Sequence, residues 1–277
     1  MASLIDFDRE YMKFAALKLR GKAEIKDEEL TQALNDSMRE WLDTKAEWLG
    51  GKTPDEYFAE MAPAALVDLM AEYCAAKMSV PEPLYRRIAN APECAKLLVQ
   101  VVSDNNAHAD ARATALRLMC DLNCAETAGV CADALLYGDE IAEIAADWLK
   151  NAGYMAVELM ESRYATATGD GKALIMDVLC SYPGVDATAD KLIERLYNDR
   201  DRSAYYAVQA GRLGDERLLE PLMRLSQLSD IEYYDYKEIV NAIDALGGDP
   251  GEIREFYGDP DYEALRVADT MPNQEEN

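Results

Sequence analysis

A short apolar helix pattern returns five times along this chain. Ala115-Leu116-Arg117-Leu118-Met119, Ala145-Ala146-Asp147-Trp148-Leu149, Ile175-Met176-Asp177-Val178-Leu179, Ala207-Val208-Gln209-Ala210-Gly211 and Ala242-Ile243-Asp244-Ala245-Leu246 begin 30, 30, 32 and 35 residues apart. Self-similarity at such a period marks a repeat architecture. One two-helix unit cannot bury its apolar stripe alone, so successive units must stack and join their stripes into a core. Between these recurrences a second helix rhymes as well, in Leu135-Leu136-Tyr137, Ser162-Arg163-Tyr164 and Arg195-Leu196-Tyr197. The pattern places first helices at about 109–121, 140–151, 171–182, 202–213 and 234–247, and second helices at about 125–137, 153–165, 186–198 and 215–227. Gly138-Asp139 and Gly169-Asp170-Gly171 supply turn chemistry between pairs. No period-2 run is long enough for a sheet.

The N-terminal 1–60 does not repeat. Phe7, Tyr11 and Phe14 have helical spacing, and Leu30, Leu34, Met38, Trp41 and Trp48 form one stripe that Gly50-Gly51 should end. Thr53-Pro54-Asp55-Glu56 reads as the next helix start, with Thr53 and Glu56 in a capping box. Helices punctuated by Pro63, Pro81, Pro83 and Pro92 follow over 62–104 and read as degenerate first repeats.

Residues 207–225, with Ala207, Ala210, Gly211, Leu213-Gly214-Asp215-Glu216-Arg217, Leu218 and Leu222, resemble the HEAT repeat family. The likeness is to the short bacterial form in phycobilisome-lyase-like HEAT proteins. The unit Tyr236 to Gly248 is similar to terminal units of uncharacterised HEAT proteins from gut bacteria. Tyr182-Pro183-Gly184 departs from the family's Leu-Gly turn. The resemblance covers about 62–250. It implies an all-α, right-handed α-α superhelix: a HEAT-like solenoid over 61–250, an N-terminal helical cap over 1–60, and an acidic segment over 251–277 that is partly disordered, from about residue 266. The family contains scaffolds, inhibitors, lyases and a DNA glycosylase branch, so the resemblance speaks to form more than to activity.

Composition removes several classes of function. The 277 residues carry 53 acidic and 28 basic side chains, a net charge of −25. That opposes general nucleic-acid binding, which needs a basic face for phosphate. The excess is steepest at the end, where residues 229–277 hold 14 acidic and 3 basic side chains. Such a field favours a basic partner. There is no long apolar run for a membrane span, and the start, with Asp6, Asp8 and Glu10, does not read as a signal peptide. The cysteines Cys74, Cys94, Cys120, Cys124, Cys131 and Cys180 lack metal-ligand spacing and read as small buried hydrophobes of a reducing cytoplasm. With His108 the sole histidine, no metal, cofactor or histidine-based catalytic site is expected, and His108 itself reads as a helix cap. Gly50-Gly51-Lys52-Thr53 ends like a phosphate loop, but Ala46 stands where the first glycine belongs.

What remains is surface. In HEAT arrays the second helices commonly line the concave face. Here they carry Glu158, Glu161, Arg163, Asp190, Glu194, Arg195, Glu220 and Arg224, alternating carboxylates and guanidiniums. A second candidate is Tyr233, Tyr234 and Tyr236 beside Asp230, Glu232 and Asp235, since tyrosine is favoured at interfaces. The expectation is a non-enzymatic, cytoplasmic scaffold or adaptor that docks a protein or peptide. The alternatives are a lyase-like enzyme or auxiliary, and an acidic mimic of nucleic acid that binds a basic protein.

Overall fold

The computed structural model describes residues 4–20 and 27–270. The chain is all-helical, with 69% helix, sixteen α-helices and no strand among the described residues. Ala46 and Lys52 make an isolated antiparallel bridge. No helix among the described residues is long and apolar enough to cross a membrane. The chain forms two compact units, Met1–Cys131 and Ala132–Asn277.

The first unit contains α1 (Phe7–Lys18), α2 (Asp27–Leu42), α3 (Pro54–Ala59), α4 (Pro63–Ala75), α5 (Glu82–Ala89), α6 (Ala95–Ser103) and α7 (Ala109–Leu122). Phe7 is buried against Trp41, Trp48 and Phe58, with ring centroids 6.2, 5.4 and 5.3 Å away. The capping box at Thr53 and Glu56 forms, and Pro54 opens α3. Pro63 and Pro83 lie in the first turns of α4 and α5, where proline's missing donor costs nothing, and Pro92 opens a 3-10 turn just before α6. The stripe through Trp48 is the exception. It breaks at Leu42, and Thr44 turns its hydroxyl back onto the Glu40 carbonyl at 2.7 Å. A single 3-10 turn, Glu47–Leu49, then holds Trp48, and Gly50 closes it in the left-handed region at φ 69°. A threonine hydroxyl bonded to the preceding turn competes with continued helix.

The division between the units falls within α8 (Thr127–Ala134). The second unit holds α9 (Ala142–Leu149), α10 (Met155–Tyr164), α11 (Gly169–Leu179), α12 (Asp186–Asn198), α13 (Ser203–Leu213), α14 (Leu219–Ser226), α15 (Tyr233–Ala245) and α16 (Pro260–Thr270). First helices pack on first helices, α9 on α11, α11 on α13 and α13 on α15, while α12 packs on α14. The recurring residues point inward: Ala145, Leu149, Ile175, Leu179, Ala207, Ala210 and Ile243 are fully buried. Trp148, expected beside Leu149 at an equally inward position, is only half-buried.

Close approach fixes Gly171, where a Cβ would strike the backbone carbonyls of Leu135 and Leu136, whereas a Cβ on Gly211 would make only an ordinary contact, 3.5 Å from the Ala242 Cα. Asp259 accepts backbone N–H groups from Tyr233, Asp261 and Tyr262, and α16 continues through Thr270. The expected disorder was placed from about 266, and 271–277 lie outside the described residues.

Truncating Leu149 or Leu179 to Ala should cost about 2–5 kcal/mol by denaturant unfolding. A variant as stable as the parent would show that these side chains are not core.

Candidate functional site

The second helices were expected to offer free charge, and six of the eight charged side chains are paired within the protein, three of them to a neighbouring element. Arg163 holds the Asp133 carboxylate through Nε at 3.1 Å and Nη2 at 3.0 Å. Glu161 accepts from Lys191 Nζ at 3.2 Å, and Asp190 from Arg217 Nη1 at 3.1 Å. Glu220 and Arg224 pair with each other across one helical turn. Arg195 turns inward, 3.8 Å from Asp199, with its Nε buried and without a hydrogen bond among the described residues. Glu158 and Glu194 are exposed on α10 and α12. Exposed pairs of this kind contribute about 0–1 kcal/mol each.

The tyrosine cluster divides. Tyr233 and Tyr236 pack on Phe256, with centroids at 5.5 and 4.9 Å, and Tyr233 also meets Tyr262 at 5.1 Å. The Tyr236 hydroxyl accepts the Arg254 N–H at 3.1 Å. These two rings anchor the segment after α15. Tyr234 is 59% exposed and free to meet a partner.

Beside that cluster lies a pocket of about 520 Å³, between the start of α13, the end of α14 and the start of α15. Four carboxylates line it, Asp201, Asp230, Glu232 and Asp235, against the single guanidinium of Arg200. Arg200 Nη2 reaches Asp230 Oδ1 at 3.1 Å, and that hydrogen bond holds the Asp230 carboxyl below its ordinary range. Its floor is apolar, formed by Leu225, Leu228 and Ile239. The two elements that carry these acids begin helices, where carboxylates are favoured by the backbone dipole. The pocket can accept a cationic head, with apolar contact for its stem.

A second polar constellation was not foreseen. Asp177, in the middle of the third recurrence, is buried in the packed face of α11. Lys150 pairs with it from the end of α9. Gln209 Nε2 donates at 2.7 Å and Arg212 Nη1 at 2.9 Å, both from α13. Burial pushes the Asp177 carboxyl up, but the hydrogen bonds from Lys150 and Gln209 and the charges of Lys150 and Arg212 outweigh it, so it ionises below the ordinary range. Nearby, burial and the Asp177 charge push the Cys180 thiol up to about 12, which keeps it a neutral thiol. The sequence did contain a signal: Asp177 and Gln209 are polar residues at the same place in successive recurrences, each set between apolar residues. These contacts make Asp177 a tie between α9, α11 and α13.

Four of the six cysteines are buried and all six are free thiols. No group of metal-ligating side chains occurs among the described residues. His108 caps α7, its Nδ1 accepting the Asp110 N–H at 3.3 Å.

Asp177→Asn should cost about 2–3 kcal/mol at neutral pH, less than a fully buried pair because Arg212 keeps contact with solvent. Because the folded carboxyl ionises below the unfolded one, its contribution is complete at neutral pH and is lost as pH falls through the folded value. The stability gap between parent and Asp177→Asn, followed by denaturant unfolding, should therefore narrow progressively as pH falls below the ordinary aspartate value of 3.8. A gap that stays constant would rule out an ionised clamp.

No protein-family model matches the sequence, and no curated protein matches it either.

Proposed function

We propose that this chain is a non-enzymatic protein-binding scaffold of HEAT-like solenoid form, right-handed and cytoplasmic, and that it holds a basic segment of another protein. The observation that carries the reading is the acidic pocket at Asp201, Asp230, Glu232 and Asp235, with exposed Tyr234 in the same stretch of chain. A Lys or Arg side chain of the partner enters there, its stem against Leu225 and Ile239. Tyr234 supplies an aromatic contact, and the excess of carboxylates over 229–277 speeds encounter.

Three observations favour a solenoid as the scaffold. First helices pack one period apart. Polar ties span the same distance: 30 residues in Arg163–Asp133 and Lys191–Glu161, and 32 in Gln209–Asp177. Thr168 also caps α11 while its own N–H donates to the Leu136 carbonyl, 32 residues back, at 3.0 Å.

The test is fluorescence anisotropy with a labelled peptide of alternating Arg and Ala. The parent should bind with an affinity that falls as salt rises. Replacing Asp201, Glu232 and Asp235 together by Asn, Gln and Asn should weaken binding at least about tenfold, equivalent to about 1.4 kcal/mol, and flatten the salt dependence. Equal binding by the triple variant would remove the pocket from the interface. Absence of binding at low salt would remove the proposal.

A further inference from the structure

The first unit has a site of the opposite character. A cavity of about 600 Å³ lies between the loop after α4, the start of α5 and one face of α7, and Lys77, Met78, Val80, Asp110, Thr114 and Arg117 help to line it. A neighbouring cavity of about 350 Å³ shares Lys77 and extends to Arg9, where Asp6 and Asp8 balance the charge. The larger cavity has two cations and one carboxylate.

In a chain with 53 acidic and 28 basic residues, a cation ordinarily finds a carboxylate. Lys77 and Arg117 have no ion pair among the described residues. The natural helical partner of Arg117 is Asp121, four residues on. The Tyr85 hydroxyl occupies that carboxylate at 2.6 Å. Asp110, two turns before Arg117, also lines the cavity but makes no ion pair with either cation among the described residues. Both cations are thus left facing the cavity.

Lys77 is also in a conformation that lysine does not favour. Its φ is 54°, in the left-handed region. It closes α4 with two hydrogen bonds, its own N–H to the Cys74 carbonyl and the Met78 N–H to the Tyr73 carbonyl, each 3.0 Å. Glycine is the usual occupant of that position. The same chain places Gly247 there after α15, with the same pair of hydrogen bonds. A lysine held where glycine fits better is the kind of local cost that accompanies function.

We propose that this cavity binds a small organic anion, a carboxylate or phosphate head on a short apolar body. The head lies between Lys77 and Arg117, with Thr114 as a hydroxyl donor, and the body lies against Met78 and Val80. The volume falls within the range of small-molecule sites, about 300–1,000 Å³.

Phenyl phosphate and benzoate test the proposal, with inorganic phosphate as head alone and benzyl alcohol as body alone. Backbone amide NMR shifts at residues 77–80 and 114–117 should saturate with phenyl phosphate or benzoate. The two head-only and body-only probes should bind at least about tenfold more weakly. Lys77→Gly should weaken the organic anion at least about tenfold while raising the melting temperature of the unliganded protein by about 2–4 °C, since glycine relieves the backbone. Arg117→Gln should weaken binding similarly and leave the melting temperature unchanged. Three results would overturn the proposal: no saturation by either organic anion at millimolar concentration, binding by Lys77→Gly equal to the parent, or inorganic phosphate binding as tightly as phenyl phosphate.

Discussion

An amphipathic helix is unstable in water until something covers its apolar side, and that need organises the second unit. Leu149, Leu179, Ala210 and Ile243 are each at or near zero exposure because the helix one period away covers them. Each such leucine or isoleucine contributes about 1.5–3 kcal/mol when removed from water. Contact this close then constrains the backbone. Gly171 can carry no side chain against the Leu135 and Leu136 carbonyls. The polar ties add to this packing, joining helices that also bury apolar side chains against one another.

The apolar pattern made the helices legible. All five recurrences fall in α7, α9, α11, α13 and α15, and α12 runs over Asp186–Asn198 as its spacing indicated. Where the pattern failed, a short-range polar competitor won. Thr44 turned the chain at the end of α2, so Trp48 came to rest on Phe7 from a 3-10 turn rather than from a long helix. Periodicity could not anticipate that event, because Trp48 satisfies the stripe equally well in either arrangement.

The candidate sites were less legible, for a different reason. A helix pattern says which face a charge occupies but not what lies across from it. Arg163 and Asp190 look free in the sequence, and each has its partner 27 to 30 residues away. Tyr233, Tyr234 and Tyr236 look alike, but the chain returns through Phe256 to cover two of them and leaves the third. The acidic pocket was half visible: Asp230, Glu232 and Asp235 stood beside the tyrosines, while Asp201 arrived from the preceding pair. Lys77 and Arg117 gave no pattern at all. Their meaning depends on Tyr85 having taken Asp121.

The short reach of the polar ties bears on how the second unit is assembled. The Asp177 clamp draws on residues from Lys150 to Arg212, and no arm of it spans more than 35 residues. Nothing in that clamp waits for distant parts of the chain to meet, and chains whose contacts are local in sequence fold fast. On a ribosome, each new helix pair would find its docking surface in the pair made just before it. Asp177 would be the point at which three successive helices become committed to one another, while the following pair was still being synthesised.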